Sequence, residues 1–365
     1  MDNLTKNPGL QHVAEEILLN LKIVTLDKCL KVNESWKNII NTPSFWLRKC
    51  LRDGKLMKSK SAWEKVIQVM SHTNREKNII FHHLENIYRY GFGFLSPIVW
   101  AAENGYAEVI KVLTPIFIKD YLNEDWNPYE DNLIYRATEK GHTDVIKELL
   151  PSFANNPNAP SKLGRTPIHV AGKYGHTEII KLLAPLVDNP NAPDRNGRTP
   201  MHEAAINGHE RFIKVLVNYF IDDFNPPDST GKTPIYMAAK MGHANLIQIL
   251  ALLTNNPNAP NQFGMTPIHV AALEDKVDVI KILIPLVDNP NATNQIGRTP
   301  IHIAAMKGNI DVIKILAPLV DGNPNMPDLS RMTPIQLAFH HVASFEIYKE
   351  IKKYLELYEL FCVKD

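Results

Sequence analysis

The chain has 365 residues, and its 40 Lys and Arg residues balance 39 Asp and Glu residues to a formal net charge of +1. Such a neutral balance disfavours a general nucleic-acid-binding surface, and no apolar run approaches the roughly 20 residues that a membrane span needs. The cysteines Cys29, Cys50 and Cys362 have no metal-binding or redox spacing. This pattern suits a reducing compartment, so we expect a cytoplasmic or nuclear protein.

The first 95 residues differ from the rest in charge, with 15 Lys or Arg against 9 Asp or Glu. Within residues 8–50 large apolar side chains recur at helical spacing, which predicts three short helices. These side chains are Val13, Ile17, Leu18, Leu21, Leu26, Leu30, Val32, Trp36, Ile39, Ile40, Phe45 and Trp46.

Residues 8–50 resemble the F-box family. The family's elements are present as Ile17-Leu18 with Leu21, Thr25-Leu26, Val32 with Trp36, Ile39-Ile40, and Pro43 with Phe45-Trp46. The family's initial Leu-Pro-x-Glu is missing, and Pro8 stands too early in the chain. The resemblance implies a helical module that docks on the Skp-type linker protein of a cullin-RING ubiquitin ligase. The linker-binding residues that it implies are Val13, Ile17, Leu18, Leu21, Leu26, Val32, Trp36, Ile39, Phe45 and Trp46.

A physical argument supports a partner for this module, because so short a segment cannot bury all of these side chains within itself. The alternative is that they pack on residues 51–95 and form an N-terminal cap for the rest of the chain. Residues 51–95 themselves predict two amphipathic helices that link the module to the remainder of the chain.

From residue 96 onward the sequence repeats. Thr-Pro recurs at intervals of 33 or 34 residues, and two earlier repeats have lost it. Eight repeats over residues 96–342 are predicted, and they start near Ser96, Asn132, Thr166, Thr199, Thr233, Thr266, Thr299 and Thr333. In the repeat from Thr199, that threonine caps a first helix, Pro200 fills its first position and Gly208 ends it. An apolar stripe in the neighbouring repeat marks a second helix.

The repeats resemble the ankyrin repeat family, as the segment from Thr199 to His209 illustrates. The resemblance implies an all-α solenoid of helix-turn-helix repeats joined by β-hairpin fingers. Pro185 and Pro285 depart from the family pattern and are expected to shorten or kink the end of the second helix. Residues 343–365 predict a capping helix that shields the last repeat.

Function is expected at the positions that the repeat pattern leaves free, which are the finger tips and the exposed side of the first helix. Apolar residues there, with basic residues nearby, favour a protein-binding surface. The alternative is that these are scattered apolar side chains without a role. The predicted target-binding residues are Leu163, Arg165, Tyr174, Arg195, Arg198, Met241, Phe263, Met265, Leu273, Ile296, Arg298 and Met306.

No catalytic motif is recognisable in the sequence, so we expect neither enzymatic activity nor a cofactor. A histidine recurs once per repeat at His169, His202, His269 and His302. Repeat spacing separates these rings too widely for one ion, so they are expected to bond the turn and not a metal. The sequence thus predicts a protein-binding adaptor, the substrate receptor of an SCF-type ubiquitin ligase. A non-ligase scaffold is the alternative.

Overall fold

A computed structural model describes the larger part of the repeat region. The described residues are 97–107, 110–111, 114, 132–153, 155–219, 223–320 and 322–362. The predicted F-box-like module, its linker-binding residues and the helical linker lie outside them. The chain divides into two compact units, residues 1–156 and 157–365.

In the first compact unit, three helices are described: α1 (Pro97–Glu103), α2 (Leu133–Glu139) and α3 (Thr143–Phe153). The side chain of Asn132 replaces the threonine of later repeats as the cap of α2, since its Oδ1 accepts a hydrogen bond from the Tyr135 N–H at 3.0 Å. Helices α1 and α2 pack together.

The second compact unit consists of six repeats, each with two helices. The first helices are α4 (Pro167–Tyr174), α6 (Pro200–Asn207), α8 (Pro234–Met241), α10 (Pro267–Leu273), α12 (Pro300–Lys307) and α14 (Pro334–His341). The second helices are α5 (Thr177–Leu183), α7 (Glu210–Leu216), α9 (Ala244–Ala251), α11 (Val277–Leu283), α13 (Ile310–Leu316) and α15 (Phe345–Cys362). Each first helix packs against the next first helix, and the second helices form a parallel row. The apolar core lies between the two rows.

Each first helix of this unit begins at the proline of Thr-Pro, as predicted. In α6, Thr199 Oγ1 accepts a hydrogen bond from the His202 N–H at 3.4 Å, and His202 Nδ1 accepts one from the Thr199 N–H at 3.1 Å. This reciprocal arrangement satisfies two amides that a helix start leaves free. It recurs at Thr166, Thr266, Thr299 and Thr333.

The prediction for the prolines of the second helices is confirmed. Helices α5 and α11 end at Leu183 and Leu283, and a single 3₁₀ turn containing the proline follows each, Ala184–Leu186 and Ile284–Leu286. Proline has no N–H to donate and its ring clashes with the preceding turn, so the α-helix stops before it.

The fingers correct one detail of the predicted fold, because they are turns and not β-hairpins; no strand occurs in the described ranges. In one finger the Asp194 N–H donates to the Arg198 carbonyl at 2.7 Å, and the Gly197 N–H donates to the Asp194 carbonyl at 2.9 Å. The Arg195 N–H reaches the Leu163 carbonyl of the preceding finger at 3.1 Å. One bond from finger to finger is too little for a strand ladder.

The last repeat differs from the others at two positions that elsewhere carry small residues. Arg331 has φ +63° at the finger position of Gly197 and Gly297. Phe339 is 61% exposed where the preceding repeats bury Ala272 and Ala305. Large side chains fit here because α15 packs on α13 and α14, and among the described residues no finger or first helix covers these positions.

The junction between the repeats of α8 and α10 has fewer polar links than its neighbours. On either side a side chain bonds a carbonyl of the preceding repeat: His243 Nε2 to Ile206 at 3.1 Å, and Asn309 Nδ2 to Ala272 at 2.8 Å. Lys276 takes that place at the α8–α10 junction, where the structure gives it no such bond. The arginine–aspartate pair found at Arg165–Asp194, Arg198–Asp228 and Arg298–Asp328 is replaced here by Lys232 and Asn261, and at the α10–α12 junction by Met265 and Asn294.

Lys276→His is therefore expected to raise the free energy of unfolding by about 0.5–1.5 kcal/mol, the usual net contribution of one hydrogen bond. The new imidazole would lie against Gly242, as His243 lies against Gly208, and would donate to the Lys240 carbonyl. Urea unfolding followed by circular dichroism measures the change. Lys276→Ala is the control, and an equal gain for alanine would show that removing lysine, and not adding the bond, is responsible.

Candidate target-binding surface

One surface of the second compact unit is formed by the finger tips and the exposed side of the first helices, and we call it the finger face. Large apolar side chains that were predicted to bind a target are exposed on it. Their exposed fractions are 59% for Leu163, 41% for Tyr174, 48% for Met241, 57% for Phe263 and 47% for Ile296. Arg195 is also exposed.

The other three predicted arginines are half-buried and bind carboxylates of the following repeat. Arg165 Nη2 lies 3.0 Å from Glu203 Oε1, and Arg165 Nε lies 3.4 Å from Asp194 Oδ2. Arg298 Nε lies 2.9 Å from Asp328 Oδ2. Arg198 makes the same kind of pair with Asp228, at 3.8 Å. These guanidinium groups hold successive repeats together and present only part of their charge to a ligand.

The three remaining predicted residues, Met265, Leu273 and Met306, are half-buried. Asn294 Nδ2 lies 3.3 Å from the sulfur of Met265, and Arg298 Nη1 lies 3.7 Å from the sulfur of Met306. They therefore contribute less of the accessible surface than the exposed residues do.

Of the recurring histidines, His169, His202 and His269 hold their repeats to the finger of the next repeat, whereas Nε2 of His302 makes no such hydrogen bond to a described residue. In His169 and His269, Nδ1 accepts from the capping threonine N–H, so the proton is on Nε2. Nε2 then donates to the carbonyl of Arg198 or Arg298, in each case at 2.9 Å. Burial lowers the pKa of both imidazoles to about 4. With both nitrogens engaged, these rings bond the turn, as predicted.

Leu329 is an exposed residue of the finger face that the sequence patterns did not reveal. It is 77% exposed and belongs to the finger that precedes α14. The alignment of Asp328 with Asp194 could have located this finger, but the usual glycine is replaced by Arg331.

Comparison with known proteins agrees with this architecture. A family model described as ankyrin repeats in three copies matches overlapping segments, the first at residues 98–194 and the last at 278–355. The crystal structure of the ankyrin repeat domain of Bcl-3, described as a unique member of the IkappaB protein family, superimposes with a TM-score of 0.52. The match covers 63% of this chain and 100% of that one at 19% sequence identity, so it shows the fold alone.

A curated relative matches a shorter stretch. Ankyrin repeat-containing protein P1E11.10 of Schizosaccharomyces pombe is 44% identical over 50 residues, which are 14% of this chain. The chain spans only 24% of that relative's length. Separately, no helix among the described residues is both long and apolar enough to cross a membrane. The matching segments extend over more than half of the sequence, so the chain belongs to the ankyrin repeat family, whose repeats bind other proteins.

Proposed function

We propose that the chain is a two-ended adaptor, the substrate receptor of an SCF-type ubiquitin ligase. The finger face holds a target protein, and residues 8–50 bind the Skp-type linker protein of the ligase. The target-binding end is supported by the row of exposed apolar side chains on the finger face. The ligase end is supported by the F-box-like spacing of apolar and tryptophan residues.

The apolar row is large enough to matter for binding. Full burial of a Leu, Ile, Met or Phe side chain contributes about 1.5–3 kcal/mol. Covering the exposed half of Leu163, Tyr174, Met241, Phe263 and Ile296 would thus supply roughly 4–7 kcal/mol before the entropic cost of association.

The titratable groups of the finger face support binding and not acid–base chemistry. His169 and His269, whose pKa falls to about 4, are buried and bonded on both nitrogens. A general base must be accessible to a substrate proton. Such a role is not open to a ring that is 1% exposed, as His169 is.

The ligase end is tested by co-purification of the full chain with a Skp-type protein. We expect the wild type to bind, and the triple variant Leu18→Ala, Trp36→Ala, Trp46→Ala to lose at least about 10-fold in affinity, since buried aromatic anchors dominate interfaces. The double variant Phe263→Ser, Ile296→Ser is the control and should bind the Skp-type protein as the wild type does. Equal binding by the wild type and the triple variant, with both folded, would refute this part of the proposal.

Deletion of residues 1–50 distinguishes the receptor from a scaffold whose N-terminal residues only cap the repeats. The receptor should lose the Skp-type protein and keep the melting temperature of its repeats. A cap should instead leave the repeats less stable when it is removed, because an end repeat would expose its apolar side.

A further inference from the structure

The charges of the second compact unit are arranged differently on its two sides. On the second helices, exposed carboxylates have a lysine three residues later: Glu178 with Lys181 at 2.7 Å, Asp278 with Lys281 at 3.9 Å, and Asp311 with Lys314 at 3.8 Å. Pairs within the helix therefore neutralise exposed charge on α5, α11 and α13. On α7, Arg211 and Lys214 are exposed and make no such pair within the described helix.

The finger face contains exposed cations without such partners. Within the part of the chain that the structure describes, no carboxylate lies within 4 Å of Lys173, Arg195 or Lys240, and we call these three the basic group. Lys173 Nζ instead lies 4.9 Å from the centre of the Tyr174 ring. Among the acidic residues of the first helices, Glu203 is 5% exposed and already bound to Arg165, whereas Glu274, at the end of α10, is exposed.

Three of the four exposed apolar finger tips lie farther along the array, and the fourth, Leu163, lies in the finger that precedes α4. Phe263, Ile296 and Leu329 are 57%, 47% and 77% exposed, and we call them the apolar tips. They occupy three successive fingers that are bonded to one another, since the Gln295 N–H donates to the Phe263 carbonyl and the Leu329 N–H donates to the Ile296 carbonyl. The basic group belongs to the repeats of α4, α6 and α8, and the apolar tips precede α10, α12 and α14.

We propose that the finger face recognises an acidic segment of a protein that also carries large apolar side chains. The carboxylates of the segment lie over the basic group, and its apolar residues lie over the apolar tips. This inference rests on the proposed function and specifies its target by charge complementarity. Nucleic acid fits the surface less well, because single strands are held by aromatic rings that stack on bases, and two of the three tips are aliphatic.

A random peptide library displayed on phage tests the inference, with the full chain as bait. We expect the selected peptides to be enriched in Asp or Glu together with Leu, Ile, Phe or Met. The matched bait is the full chain with Lys173→Glu, Arg195→Glu and Lys240→Glu, on which selection should shift to Lys and Arg beside the same apolar residues. Enrichment without a charge bias on the wild type, or the same peptides on both baits, would overturn the proposal.

A selected acidic peptide is then measured by fluorescence anisotropy at low and at physiological salt. The charge-reversed variant should bind at least about 10-fold more weakly, because three exposed pairs become repulsive, and the difference should shrink with salt. Tighter binding of a single-stranded RNA than of the peptide would also overturn it.

Failure of this inference can be told apart from failure of the proposed function. If Phe263→Ser, Ile296→Ser abolishes peptide binding while charge reversal leaves it unchanged, the finger face binds protein but the acidic class is wrong. Binding of the Skp-type protein concerns residues 8–50 and should be the same in all of these variants.

Discussion

Gly197→Ala is expected to lower the free energy of unfolding by about 2–4 kcal/mol, since the left-handed backbone alone costs a residue with a Cβ roughly 1–2 kcal/mol. Gly197 has φ +74°, and a Cβ placed there would lie 2.7 Å from the backbone nitrogen of Ser229 in the next finger. The finger would have to move, which would weaken the bond from the Ser229 N–H to the Asn196 carbonyl at 2.9 Å. Urea unfolding followed by circular dichroism measures the loss.

Arg331 supplies the matched control because it occupies the same place in the last finger with φ +63°. In the described part of the chain no finger covers Arg331, so Arg331→Gly relieves backbone strain and should stabilise the protein by about 1 kcal/mol or less. An unchanged free energy of unfolding for Gly197→Ala would show that close packing of neighbouring fingers does not require glycine at this position.

The second large effect is a loss of stability between pH 6.5 and about pH 4. Burial lowers the pKa of His169, His269 and His302 to about 4 from 6.5, and it lowers the pKa of His202 as well. Above pH 6.5 these rings are neutral in both states. As the pH falls toward 4, only the unfolded chain binds protons, so stability is lost, by up to about 3 kcal/mol for each of His169, His269 and His302. The free energy of unfolding of a protein is typically about 5–15 kcal/mol, so the repeats should unfold between pH 6.5 and about pH 4. The melting temperature at a series of pH values measures it.

The double variant His169→Gln, His269→Gln distinguishes protonation of these histidines from protonation of other groups as the cause of acid unfolding. Glutamine is compatible with the position, since Gln336 Oε1 accepts from the Thr333 N–H at 2.9 Å in the last repeat. The variant should be less stable at pH 7.5, by about 1 kcal/mol for each lost bond to the next finger, but its stability should fall less with acid. An unchanged pH dependence would assign acid unfolding to other groups.

The sequence predicted the features that depend on contacts within one repeat. The threonine cap, the proline at the first helical position and the stop before Pro185 all follow from residues a few positions apart. The true form of the fingers did not follow, because it depends on how many backbone bonds one finger makes with the next. The resemblance implied β-hairpins where only turns form.

The sequence predicted which residues form the finger face, but not which of its arginines are paired with carboxylates. Arg165 and Arg298 were expected to bind a target, yet their partners Asp194 and Asp328 lie 29 and 30 residues away, in the next finger. Such a pair becomes visible only when one repeat is stacked on another. Arg195 remains exposed, and its repeat position differs, because the paired arginines each directly precede Thr-Pro whereas Arg195 follows Asp194 at the tip of a finger.

The central claim is that the finger face is the surface that holds the target protein. Its most direct test compares proteins cross-linked in cells to the full wild-type chain with those cross-linked to the folded double variant Phe263→Ser, Ile296→Ser. The account predicts that the variant loses one set of partners and retains the Skp-type protein. Recovery of the same partners in the same amounts by both chains would contradict it.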